Sequence, residues 1–268
     1  MIYIDSHVHT INSPDGNDSI VKLVAEAKAK GLCYLATTDH LDYDLKFGKN
    51  HTPICWNHIN LDKYYAEWQD AKKQADGLDF CFGVEVGFED DPEVYQKYQE
   101  VFEKFNFDVV INSVHFVNGM DVYFPMAFFF KSKQKMYSDY LDKVLKSLDA
   151  PYNYDIVAHL GYVTRNAPYK DKALRYADFP DKFDAILNGV IERGKSLEVN
   201  THHDMNPTKE ILERYFALGG RKLSFGSDSH RNELVKDFET VCALLKEIGF
   251  ENFSVFHRHI ETLIPIEK

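Results

Sequence analysis

The sequence predicts an α/β protein whose parallel strands, each followed by a helix, close into a barrel. Three observations carry that expectation. Short apolar runs of strand length alternate with segments of helical spacing along the whole chain. Most of these runs end in histidine or an acidic residue. The length of 268 residues suits one α/β barrel, for which ~250 residues is typical. An open, doubly wound sheet is the second architecture compatible with the pattern.

The elements follow in order. Ile2-Tyr3-Ile4 reads as a first strand, and Asp18-Ser19 caps a helix with Ile20, Leu23, Val24 and Ala27 on one face, stopped at Gly31. A strand over 32–38 comes next. Asn60 caps a helix that leads to a strand over 78–84, and Asp91-Pro92 opens another helix, proline suiting a first turn. The strand over 107–113 follows. Helices near 132–149, 180–193, 208–218 and 232–248 then alternate with strands at 154–159, 196–200 and 222–228, and 253–256 reads as a short final strand. No low-complexity linker or visible repeat divides them.

Composition narrows the function. A net charge of −11 argues against a nucleic-acid backbone as the main partner. It leaves room for a small anionic substrate, because bound metal ions reverse the sign locally. Cys33, Cys55, Cys81 and Cys242 form no CxxC pair and read as core thiols. The N-terminal segment is no signal peptide, since Asp5 and two histidines interrupt it, and no run of about 18 apolar residues suggests a membrane span. A cytoplasmic location and no membrane partner are expected; the oligomeric state is left open.

Chemistry collects at the strand ends, where parallel barrels place their active sites. Strand one ends in Asp5, His7 and His9, which project to one side of an extended chain. The following strands end in Asp39-His40, Glu85, His115, His159, Glu198 with Asn200, and Asp228 with His230. A single histidine at such a position is more often a hydrogen-bonded core residue than a ligand. Six of the twelve arriving together with carboxylates would be costly to bury without a cation. Imidazoles mixed with carboxylates, without thiolate, suit Zn, Mn, Fe or Co. Nine candidate ligands exceed the needs of one ion, so two or three divalent metal ions are expected, spaced to hold a bridging hydroxide for displacement at phosphorus.

The segments "DSHVHT", "TTDH", "GVEVG", "NSVHF", "AHLGY" and "GSDSH" resemble, in order, the motifs of the polymerase-and-histidinol-phosphatase (PHP) family across residues 1–231. Within it the likeness is greatest to stand-alone histidinol-phosphate phosphatases. The resemblance implies a distorted, TIM-like (β/α)7 barrel forming a single PHP-type domain over 1–268. It implies a trinuclear metal site at the C-terminal ends of the strands. His7, His9, Glu85 and Asp228 would hold one ion, and Glu85 would bridge to a second held by His115 and His159. Asp15, His40 and His230 would hold the third. Many relatives have histidine at the position of Asp15, and Pro14-Asp15-Gly16 is also a strong turn sequence.

The implied activity is hydrolysis of a small phosphate monoester, above all L-histidinol phosphate, by a metal-bridging hydroxide held by Glu85 and Asp228. No general acid is assigned; capping or turn roles are expected for Asp39 and Asp42. Related phosphatases commonly read "NTSGLR" after strand six, with the arginine on phosphate, whereas this chain reads "EVNTHHDMN". Arg165, His202 and His203 are the candidates to replace it. The aromatic stretch 115–130 is a candidate lid, with Phe128-Phe129-Phe130 expected in the core. Loop 41–58, carrying His51, Trp56 and His58, is a second possible wall. Competing functions are a diester or nucleotide substrate, a metal-stabilised barrel without catalysis, and, more distantly, C–N bond hydrolysis.

Overall fold

The computed structural model describes residues 1–43 and 59–267. The expectations for Cys55, His51, Trp56 and His58 fall outside them. The chain runs β1 (Tyr3–Asp5), α1 (Ile20–Ala29), β2 (Leu32–Leu41), α2 (Leu61–Lys72), β3 (Asp79–Gly87), α3 (Pro92–Lys104) and β4 (Val109–Ser113). A small hairpin of β5 (Phe116–Val117) and β6 (Met120–Asp121) follows, then α4 (Lys133–Ser147), β7 (Ile156–Val157) and α5 (Pro180–Glu192). The last elements are β8 (Ser196–Asn200), α6 (Lys209–Ala217), β9 (Leu223–Gly226), α7 (Phe238–Ile248) and a hairpin of β10 (Asn252–His257) and β11 (Ile260–Pro265).

Seven strands form one sheet in the order β1-β2-β3-β4-β7-β8-β9, every pairing parallel. The two edges meet beyond the ends of β1 and β9. Ser6 N–H donates to the Phe225 carbonyl at 2.9 Å, Asp228 N–H to His7 at 2.8 Å, and His9 N–H to Ser229 at 2.9 Å, with a parallel bridge between Val8 and Ser229. The sheet is therefore a nearly closed (β/α)7 barrel rather than an open one. Its closing seam is made by the segments that carry His7, His9, Asp228 and His230.

Local chemistry explains most helix starts. Ser19 Oγ, Asn60 Oδ1 and Asp91 Oδ1 accept from the free N–H groups of Lys22, Lys63 and Glu93, satisfying donors that the first turn leaves orphaned. Pro92 fills a first-turn position. The apolar face read for α1 is the buried one: Ile20, Leu23, Val24 and Ala27.

Several expectations are corrected. The helix expected from residue 232 begins at Phe238, because Asn232, Val235 and Asp237 have φ near +50°, which no right-handed helix accommodates. Phe129 and Phe130 are exposed and only Phe128 is buried; Phe130 has φ of 62°, which ends the local turn and turns the pair outward. Cys33 is only half-buried, whereas Cys81 and Cys242 are core residues. The final strand pairs antiparallel with β11 in a separate two-stranded sheet and does not join the barrel.

Candidate metal centre

Glu85, near the end of β3, is the hub of the site. Its side chain is buried, and five imidazoles surround its two oxygens. Oε1 faces His159 Nε2 at 2.7 Å and His115 Nε2 at 3.2 Å, and accepts from Ser113 Oγ at 2.6 Å. Oε2 faces His40 Nδ1 at 2.8 Å, His7 Nε2 at 3.3 Å and His9 Nε2 at 3.5 Å. Asp228 closes the other side, with Oδ1 3.2 Å from His9 Nε2 and 3.7 Å from His7 Nε2. At the rim, Asp15 Oδ2 lies 3.3 Å from His230 Nε2 and 3.6 Å from His40 Nε2. All nine expected ligands thus converge at one end of the barrel.

The arrangement fits cations. His7 Nε2 and His9 Nε2 face each other at 3.1 Å, where at most one can carry a proton. Glu85 Oε2, Asp15 Oδ1 and His159 Nδ1 are buried without an aligned hydrogen-bond partner among the described residues, a cost that coordination to an ion would remove for the carboxylates. Donor atoms of His7, His9 and Glu85, of Glu85, His115 and His159, and of His9, His40 and His230 each lie within 4.8 Å of one another.

Electrostatics points the same way. Burial alone would raise the Glu85 carboxyl, but His7, His40 and His115 hold it well below the usual range. Asp228 is likewise raised by burial and carried well below its ordinary value by Arg165 and His7. Burial lowers His7, His40 and His115, yet their acidic neighbours prevail and raise all three well above an ordinary imidazole. His9 and His159 move the other way, lowered first by burial. At the three raised rings divalent ions would compete with protons, so metal uptake there releases protons.

Supporting groups orient the ligands. Glu198 Oε1 sits 2.6 Å from His7 Nδ1, which leaves Nε2 to face the centre, and Glu198 Oε2 accepts from the His159 backbone N–H at 2.7 Å. Strand-end position flagged Glu198 in the sequence, but nothing there revealed this role. Both Asp5 oxygens are taken up by backbone N–H groups, of Ser227 and Val235 at 2.9 Å each. Asp39 accepts from Thr10 N–H and Oγ–H at 2.6 Å and is structural.

Asp42 is not the cap or turn residue expected. It enters the cleft, 3.2 Å from His115 Nδ1, because β2 runs on to Leu41 and delivers the next residue to the site.

A cleft of about 500 Å³ opens over the centre, walled by Phe116, Tyr123, Phe124, Tyr162, Asp121 and Arg165. Arg165 is tied to Asp228 Oδ2 at 2.5 Å and lies over the Tyr162 ring. His202 lines this cleft, and burial lowers its imidazole to about 4. His203 lies outside it, in a neighbouring pocket.

The sequence profile described as "PHP domain" matches residues 5–202. The chain belongs to the PHP domain family. A curated relative from Lactococcus lactis, named histidinol-phosphatase, is 29% identical over 263 residues and covers 94% of each chain. A solved structure of histidinol phosphate phosphatase from the same species, complexed with zinc, L-histidinol and phosphate, superposes with a TM-score of 0.85 at 27% identity, covering 97% of this chain and 98% of that one. A solved structure from Listeria monocytogenes, 19% identical, shares the PHP fold with a TM-score of 0.75, over 89% of this chain and 99% of its own.

Proposed function

We propose that this PHP protein hydrolyses L-histidinol phosphate to L-histidinol and phosphate, a step of histidine biosynthesis, in the cytoplasm. The observation that carries the reading is the buried Glu85 encircled by five imidazoles in a chain alike over nearly its whole length to a phosphatase solved with zinc, histidinol and phosphate. The ligand sets are His7, His9, Glu85 and Asp228; Glu85, His115 and His159; and Asp15, His40 and His230. They serve two or three ions of the zinc, manganese, iron or cobalt class. When bound, such ions neutralise phosphoryl charge and acidify a coordinated water.

The chain's own residues do the rest. Glu198 and Ser13 hold the far nitrogens of His7 and His9, at 2.6 and 3.2 Å, fixing which nitrogen each ring presents. Arg165 brings a cation to the cleft beside Asp228, suited to a phosphoryl oxygen, and His202 offers a second polar contact. His203 lines the adjoining pocket instead of this cleft. Asp121 and Asp42 line the same cleft with Phe116, Tyr123, Phe124 and Tyr162. Carboxylates among aromatic faces suit an alcohol that carries an ammonium group and an imidazole.

The decisive assay is phosphate release from histidinol phosphate, beside other monoesters and a diester, with enzyme purified without chelator. A preference for histidinol phosphate is expected; turnover of other esters alone would discard that substrate. Glu85→Ala and His115→Ala are expected to lose bound metal and turnover together. Retention of both in either variant would overturn the ligand assignment.

A further inference from the structure

Arg165 has a second face. It also lines a polar pocket of about 330 Å³ whose wall includes Lys172, Lys236, Thr164, His203 and Asp204. We infer that this pocket is a second oxyanion site, built to hold phosphate or a phosphoryl group next to the metal cleft. That the anion is phosphate rests on the phosphatase reading; the charge of the pocket does not.

Lysines of this acidic chain divide between acidic partners and main-chain carbonyls, the second group including Lys28, Lys72 and Lys195. Lys143, Lys209 and Lys222 each pair with a glutamate at 2.5–2.6 Å. Lys172 and Lys236 instead donate to main-chain carbonyls, of Arg165 at 3.1 Å and of His202 at 2.7 Å. No ion pair is formed by either among the described residues, so their charge is not neutralised. Both are also anchored through their own backbones. Tyr137 Oη–H donates to the Lys172 carbonyl at 2.7 Å, and Thr201 Oγ–H to that of Lys236 at 2.9 Å.

Three cationic side chains and one acid line the pocket. Burial lowers the His203 imidazole first, and Arg165 and Lys236 lower it further against the opposing Asp228 and Asp204. Asp204 is the opposing acid in the wall. Two ammonium groups and a guanidinium in one pocket wall, with the Asn206 side chain among them, suit a tetrahedral dianion. Arg165 forms part of both walls, so an anion could pass from one site to the other while keeping one cationic contact. The pocket therefore either receives phosphate leaving the metal centre or collects the phosphoryl group of arriving ester.

Calorimetric titration of inorganic phosphate into the metal-loaded enzyme tests this. The double variant Lys172→Ala/Lys236→Ala is expected to bind one phosphate equivalent fewer than the wild type, with kcat for the phosphate ester retained at low phosphate. Lys172→Arg/Lys236→Arg should keep the extra equivalent. An unchanged number of equivalents in the alanine variant overturns the site.

Titration with the non-hydrolysable phosphonate of the ester separates the two sources. An extra equivalent for inorganic phosphate alone assigns the pocket to product, and one for the phosphonate as well assigns it to phosphoryl groups generally. If no ester is turned over, the phosphatase reading fails, while the count of phosphate equivalents still decides the pocket.

Discussion

At the scale of single residues, Glu198 holds two parts of the centre together, with one oxygen on His7 Nδ1 and the other on the His159 N–H. Its removal leaves a buried imidazole nitrogen and a buried N–H unpaired. Glu198→Ala is expected to weaken metal binding 10–100-fold, roughly the usual effect of losing a partner that orients a ligand; metal-buffered titration checks it. Gly226 makes room for this contact. A Cβ there would lie 2.2 Å from Glu198 Oε1 and 2.6 Å from His7 Cβ. Gly226→Ala should therefore displace His7 and lower metal affinity in the same titration, at a stability cost of about 1–3 kcal/mol. Eight of the nine candidate ligands were legible in the sequence because a strand end is a position that spacing defines, whereas Asp15 entered only through the family resemblance. Glu198 also stood at a strand end, yet its task was not legible, nor was that of Asp42, expected as a cap or turn residue, since these depend on which neighbour each carboxylate meets across the barrel.

At the scale of elements, the β10–β11 hairpin closes the end of the barrel opposite the metal centre. Tyr34 Oη–H donates to the Phe256 carbonyl at 2.9 Å. His257 Nε2 lies 2.7 Å from Asp79 Oδ2, its Nδ1 is 3.3 Å from Cys81 Sγ, and His259 Nδ1 is 2.9 Å from Asp155 Oδ2. The sequence showed the strand at 253–256 but not its partner, because β11 carries exposed Ile260 and Leu263 and only one thinly covered face. It gave no sign of the docking, which pairs residues about 100 to 220 positions apart. Phe253 is buried against Phe225 and Phe238, so Phe253→Ala is expected to cost about 3–5 kcal/mol in denaturant unfolding. The metal content of the folded fraction should be unchanged, because no residue of the hairpin reaches the centre.

At the scale of the whole molecule, the barrel is closed where its charges are most crowded. His7, His9, Asp228 and His230 lie on the seam that joins the first and last strands, so ions bound there would also cross-link the two edges of the sheet. Chelation should therefore act on the fold as well as on turnover. An ion at about 100 times its dissociation constant stabilises the native state by roughly 2.7 kcal/mol, which for a chain of this size corresponds to a fall of about 5–10 °C in Tm on its removal. Differential scanning fluorimetry of chelated and zinc-reloaded protein measures this, and an unshifted Tm would separate the metals from barrel closure. The pH dependence has a definite sign. His7, His40 and His115 are raised above the ordinary imidazole value, so the ions must displace protons from them even near neutrality. The zinc-dependent part of the Tm is thus expected to shrink as pH falls from 8 to 6, whereas carboxylate-only ligation would leave it level across that range.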